Sequence, residues 1–301
     1  MFTLAHLSDP HLAPLPEPTL AELIGKRATG YINWQRKRRF IHDSATLGKI
    51  VTDMKAQNPD HIAVTGDIAN IALPNEFPRG RDWLESLGAS YDVSFVPGNH
   101  DIYVREAAAL AGRAWGAQMS DDDGVKGFPF LRKRGPLALV GISTGVPTAP
   151  FLANGWIGTV QLTALAAMLN DLKEQDLFRV LLIHHPPISK AGRTKALLDA
   201  PILKRIIAAH GADLILHGHD HLHMLNWLDG PLGARVPAIG VPSASAKFGT
   251  GKDAAAYHLY KIDGKRGAWR CEVISRGLAE AGGVVEQKRF EISSTTVPGS
   301  G

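Results

Sequence analysis

Val93-Ser94-Phe95-Val96-Pro97-Gly98-Asn99-His100-Asp101 is the stretch on which the reading of this chain turns. Four residues suited to a strand run into Pro97-Gly98, which ends the ladder, and then into an amide, an imidazole and a carboxylate. The same succession of apolar run and polar cluster recurs four times. Phe2 to Ser8 leads into Asp9-Pro10-His11, and His61 to Thr65 into Gly66-Asp67. Arg179 to His184 brings in His184-His185, and Asp213 to Leu216 precedes Gly218-His219-Asp220-His221. Carboxylate, imidazole and amide groups arriving from several strand ends suit a pair of divalent ions, and such pairs are suited to cleaving phosphate esters.

Between these strands lie stretches with helical periodicity, at about 40–57, 76–87, 105–115, 159–173 and 195–209. Strands alternating with helices indicate an α/β architecture with much parallel pairing, whose binding site lies at the strand ends. Asp9 and His11, like His219 and His221, are two residues apart, so in extended backbone each pair points to one side. Glycines 66, 98 and 218 stand where strands must turn, and a residue without Cβ permits positive φ and close backbone approach. After His221 come four short runs, 222–228, 234–241, 257–262 and 268–275, which read as a second, antiparallel sheet. Residues 1–285 are expected to form a single domain, with an irregular insert at 12–39 and a C-terminal tail at 286–301.

Composition narrows the chemistry further. The 33 Lys and Arg against 29 Asp and Glu leave a formal charge of only +4, which welcomes an anionic substrate without indicating nucleic acid. No long basic stripe interleaved with aromatics is present, which argues against a nuclease. The lone Cys271 removes thiolate ligation, so any metal must be held by His, Asp, Glu or Asn. The first residues carry no basic n-region or long apolar h-region, and no apolar run is long enough to span a bilayer; a cytoplasmic location is the expectation.

The ordered series D-x-H, G-D, G-N-H-D, H and G-H-x-H resembles the calcineurin-like metallophosphoesterase superfamily. Its G-N-H-D form and length are most similar to class III cyclic-nucleotide phosphodiesterases and related bacterial phosphodiesterases. The resemblance spans Ser8 to His221. It implies a four-layer αββα sandwich of two mixed sheets flanked by helices, with the metal site at the C-terminal ends of the strands. It also implies one ion held by Asp9, His11, Asp67 and His221, and a second held by Asp67, Asn99, His184 and His219, with Asp67 bridging. The ions would be iron, manganese or zinc, and ligand type does not choose among them. A hydroxide shared by the ions would attack phosphorus, with His100 as the catalytic side chain on the developing charge or leaving oxygen and Asp101 orienting it.

The expected activity is hydrolysis of a small phosphodiester such as a cyclic nucleotide. Phosphomonoester or pyrophosphate hydrolysis, on a nucleotide-sugar or phospholipid-like substrate, stands as the alternative, and a catalytically silent metal-binding module as the non-enzymatic one. His6, His61, His210, His223 and His258 read as structural. His185 should point away from the site occupied by His184, and His42 reads as a residue packed on a helix. Tyr31, Trp34 and the run Arg36-Lys37-Arg38-Arg39 make the insert a candidate substrate cap, lipid contact or homodimer interface.

Overall fold

The structure, a computed structural model, describes residues 1–189 and 191–292. Its first sheet is built on β1 (Phe2–Leu7), β2 (His61–Val64) and β3 (Val93–Phe95), which pair in parallel. The intervening chain supplies α1 (Lys26–Arg36), α2 (Ser44–Ala56) and α3 (Glu76–Leu87), and α4 (Ala107–Trp115) follows β3. The second sheet contains β4 (Phe130–Arg134), β5 (Leu137–Gly141), β6 (Phe178–Leu182), β7 (Leu214–His217), β8 (Met224–Asp229) and β9 (Arg235–Gly240). Its helices are α5 (Thr159–Leu172) and α6 (Ala200–His210). Finally β10 (Ala256–Asp263), β11 (Arg270–Leu278) and β12 (Val284–Ile292) return to the free edge of the first sheet.

Both sheets have six strands and both are mixed, in the orders β12-β11-β10-β1-β2-β3 and β4-β5-β6-β7-β9-β8. The strand period of two explains why they stack. Leu137 and Leu139 of β5, and Phe178, Val180 and Leu182 of β6, meet Leu4 and Tyr260 of the first sheet in a buried layer between the sheets. Ala138, Val140 and Leu181 point the other way, onto Leu165 and Leu169 of α5 and Leu203 and Ile207 of α6. On the far side, Leu7, Val64 and Phe95 pack on Ile50 and Met54 of α2, Leu84 of α3 and Trp115 of α4. Helix, sheet, sheet and helix are therefore the four layers.

Three expectations change. The four runs after His221 do not make one antiparallel sheet: β8 and β9 extend the second sheet, while β10 and β11 extend the first. Each sheet had an unpaired edge to cover, and the late strands cover one edge apiece. The expected boundary at 285 falls inside β12, which pairs with β11 from Leu278↔Val284 to Cys271↔Ile292; residues 293–301 of the expected tail lie outside the described residues. The insert at 12–39 is not wholly irregular, because 26–36 is helical. That helix buries only Arg27 and Trp34, so its sequence lacks the apolar stripe by which helices are read. Arg27 fastens it through an ion pair to Glu106 at 2.9 Å and hydrogen bonds to the carbonyls of Ile71 and Ala72. Among the described residues no helix is long and apolar enough to cross a membrane.

Candidate metal centre

Five loops leave the C-terminal ends of β1, β2, β3, β6 and β7 and meet over the seam between the sheets. They carry Asp9 and His11, Asp67, Asn99 to Asp101, His184, and His219 and His221. The pairs two residues apart converge, but not because they are extended. Asp9 (φ 52°), His11 (φ 38°), Asp67 (φ 58°), His219 (φ 70°) and His221 (φ 56°) are all left-handed. Five non-glycine residues in that region within one site store strain that packing and hydrogen bonds must offset. Of the three glycines, Gly66 has a positive φ of 95°, whereas Gly98 and Gly218 serve close approach. A Cβ on Gly98 would run into the Asp67 carboxylate and His184, and one on Gly218 into Ser8 and Asp9.

The donor atoms lie at the spacing of ligands around common ions. His221 Nε2 is 3.1 Å from Asp9 Oδ1 and 3.4 Å from His11 Nε2. His11 Nε2 is 3.8 Å from Asp9 Oδ1 and 3.9 Å from Asp67 Oδ2. On the other side, His184 Nε2 is 3.3 Å from both Asp67 Oδ2 and Asn99 Oδ1, and His219 Nδ1 is 2.9 Å from Asn99 Oδ1. Two donors bound to one ion at about 2.1 Å and roughly 90–110° apart would be about 3.0–3.4 Å from each other. Asp67 belongs to both groups through Oδ2, and its Oδ1 is taken by the backbone N–H of His100 at 2.7 Å. The residues present therefore fit two ions sharing one carboxylate.

Three of the four imidazoles are oriented by a carbonyl behind them. The Nδ1 of His11 faces the carbonyl of Ala69 at 3.2 Å, and that of His184 faces Thr65 at 2.7 Å. His219 instead turns Nε2 to the carbonyl of Lys195 at 3.0 Å. A carbonyl can only accept, so these nitrogens carry the hydrogens and the opposite nitrogens keep free lone pairs for a metal. The carboxylates draw positive charge to this site, and a metal taking Nε2 of His184 would displace a proton from it. Burial opposes a charged His184, but Asp67 and then Asp9 overcome it and push the imidazole up to about 10. Desolvation works against Asp9 and Asp67 as well, yet the surrounding histidines hold both carboxylates below their usual range, Asp67 at about 2. His219, desolvated and close to His184, falls to about 3 and is neutral, as a ligand must be.

His185 does not point away, as a strand residue would: β6 ends at Leu182, and the ring lies 4.2 Å from that of His219. It is still no free ligand, since Nδ1 meets Thr144 Oγ1 at 2.7 Å and Nε2 the carbonyl of Ala153 at 3.1 Å. His42 precedes α2 rather than packing on it. It bonds Ser245 through Nδ1, stacks on Trp34 and shares a three-histidine group with His11 and His221. His217 is buried at the end of β7, outside these groups.

The expectation that Asp101 orients His100 needs correction. Its Oδ2 accepts the N–H groups of Asp67 (2.7 Å) and Gly98 (2.9 Å), and its Oδ1 that of Ala69 (2.9 Å). Asp101 therefore ties the loop after β2 to the loop after β3, and burial beside Asp67 pushes it up to about 8. His100 is held instead by a short contact from Nδ1 to the carbonyl of Asn70, and Tyr103 stacks on its ring at 5.6 Å. Asn70 in turn is fixed by the carboxylate of Glu76, which also accepts from Ile71 and Leu73. A cleft of about 910 Å³ opens over the site, lined by Asn99, His100, Tyr103, His219 and His221, by Lys26 and Arg38 from the insert, and by His42 just beyond it.

The family model for calcineurin-like phosphoesterases matches residues 2–223, and the chain belongs to that family. A probable cyclic nucleotide phosphodiesterase of Synechococcus sp. is 25% identical over 226 residues, covering 73% of this chain and 78% of the relative. The glycerophosphodiester phosphodiesterase GpdQ of Enterobacter lignolyticus is 25% identical over 199 residues, 59% of this chain and 65% of its own length. A dimetal phosphatase from Danio rerio superposes with a TM-score of 0.65 over 98% of this chain and 99% of its own, at 14% identity. The structural likeness carries the fold, and the family carries a hydrolase of phosphoric esters with a metal centre.

Proposed function

We propose that this calcineurin-like phosphoesterase is a dinuclear phosphodiesterase acting on a small phosphodiester such as a cyclic nucleotide. The observation that carries the proposal is the shared Asp67 Oδ2, 3.3 Å from His184 and 3.9 Å from His11, with donor groups on both sides. Asp9, His11, Asp67 and His221 would hold one ion, and Asp67, Asn99, His184 and His219 the other. Iron, manganese and zinc all suit this nitrogen and oxygen set. Two such ions supply Lewis acidity toward phosphoryl oxygens and a nucleophile from water near neutral pH.

The side chains do the rest. Asp9 and Asp67 concentrate negative charge where the ions sit, and Asn99 adds an oxygen donor without adding to it. His100, whose ring lies 5.1 Å from that of His11, stands at the cleft wall with Asn70 holding its Nδ1. Once protonated on Nε2, it would there stabilise charge on the reacting phosphoryl group or hand that proton to the leaving oxygen. The names of the two relatives, both diester hydrolases, support a diester over a monoester. Lys26, Lys37, Arg38, Lys195 and Lys252 around the cleft favour, as a second reading, a more highly charged pyrophosphate ester. Turnover of bis(p-nitrophenyl) phosphate and p-nitrophenyl phosphate by manganese-loaded protein separates diester from monoester. Diester turnover should dominate; a monoester rate far above it would overturn the proposal.

A further inference from the structure

The basic run at the end of the insert does not stay together. Arg36, Lys37 and Arg39 are exposed, while Arg38, at the start of a single turn after α1, folds inward. Its Nη1 lies 2.8 Å from both ring nitrogens of His100. Because Nδ1 of His100 is committed to the Asn70 carbonyl, Nε2 is the nitrogen able to accept from the guanidinium. Nη2 of Arg38 is shielded from solvent and has no hydrogen-bond partner. Among the described residues no carboxylate forms an ion pair with Arg38. A shielded guanidinium with an unmade hydrogen bond and no directly paired carboxylate is destabilising, and its free donor can be met by an anionic partner entering the cleft.

Of the other cations of the cleft, Lys37, Lys195 and Lys252 are exposed to solvent and Lys26 is paired. Lys26 Nζ bonds Thr148 Oγ1 at 2.6 Å and sits over the Tyr103 ring. Arg38 alone combines proximity to His100 with an unmet donor, and a guanidinium offers parallel N–H groups matched to phosphoryl oxygens. We propose that Arg38 is a substrate-binding residue that clamps a non-bridging oxygen of the phosphoryl group through Nη2. Movement of the guanidinium from His100 to that oxygen also leaves Nε2 of His100 free to face the ester. The insert thereby contributes directly to substrate binding. This inference rests on the phosphoesterase reading.

Calorimetric titration of manganese-loaded protein with inorganic phosphate tests it without requiring turnover. Arg38→Gln should weaken phosphate about 10- to 100-fold, the range expected for a hydrogen bond to a charged group. Arg38→Lys, which keeps the charge but not the fork, should fall between. Bound manganese, measured on the same samples, should match wild type, the melting temperature should not fall, and KM for the diester should rise with the phosphate Kd. The same Arg38→Gln loss in a His100→Ala background would show that Arg38 meets the anion itself. An unchanged Kd, or a loss that vanishes without His100, overturns the inference. Arg38-dependent phosphate binding in a protein that hydrolyses neither ester would sink the phosphoesterase reading alone.

Discussion

His100 and Asp101 are neighbours with different duties, and the difference is set by what each touches. His100 presents its ring to the cleft, held by Asn70 and stacked on Tyr103. His100→Ala should lower kcat by about 10²- to 10⁴-fold, the usual worth of one proton-transferring or charge-stabilising side chain. Metal content by mass spectrometry should not change; loss of bound metal would instead place His100 among the ligands. The side chains that meet at the candidate metal centre were readable from sequence because they are polar residues clustered after apolar runs. Their orienting partners were not, because Thr65, Ala69, Asn70 and Lys195 act through backbone carbonyls that every residue possesses. Arg38 carried a signal, but a run of four cations does not say which one turns inward.

Loops, more than strands, shape the centre. The two-residue spacing of Asp9/His11 and His219/His221 was visible in the sequence, yet the geometry behind it was not. Strand phase predicted convergence, and left-handed turns beyond the strand ends deliver it. Asp101 is the tie between two of these turns. Asp101→Asn would set an amide N–H₂ against backbone donors and remove at least one of three hydrogen bonds from backbone N–H groups, at a cost of about 1–3 kcal/mol. A lower denaturation midpoint and weaker manganese binding should appear together in this variant. Wild-type values for both would show that the tie between the loops is dispensable. Helix α1 was missed for a related reason: it is anchored by Arg27 rather than by an apolar face.

For the molecule as a whole, alternation of apolar runs and helices made the α/β class legible, while the partition of the late strands between sheets depended on which edges remained open. Packing two sheets face to face also buries histidines away from the metal centre. Desolvation holds His61 and His258 at about 3, far below an exposed imidazole. Their unfolded forms take up protons near pH 6.5 while the folded ones do not, so stability falls as pH drops from about 6.5 toward 3. Between pH 6.5 and 5, before most carboxylates titrate, these two rings should contribute roughly 2–4 kcal/mol to the loss recorded by urea unfolding, so that double replacement of His61 and His258 flattens the profile by that amount. A profile unchanged by that replacement would mean that these rings titrate normally. The central claim is a two-ion centre bridged by Asp67, and a manganese titration of chelator-stripped protein, read as hydrolysis of bis(p-nitrophenyl) phosphate, tests it most directly. Activity should rise to a plateau at two bound ions per chain; a plateau at one ion, or two ions bound with no turnover, would contradict the account.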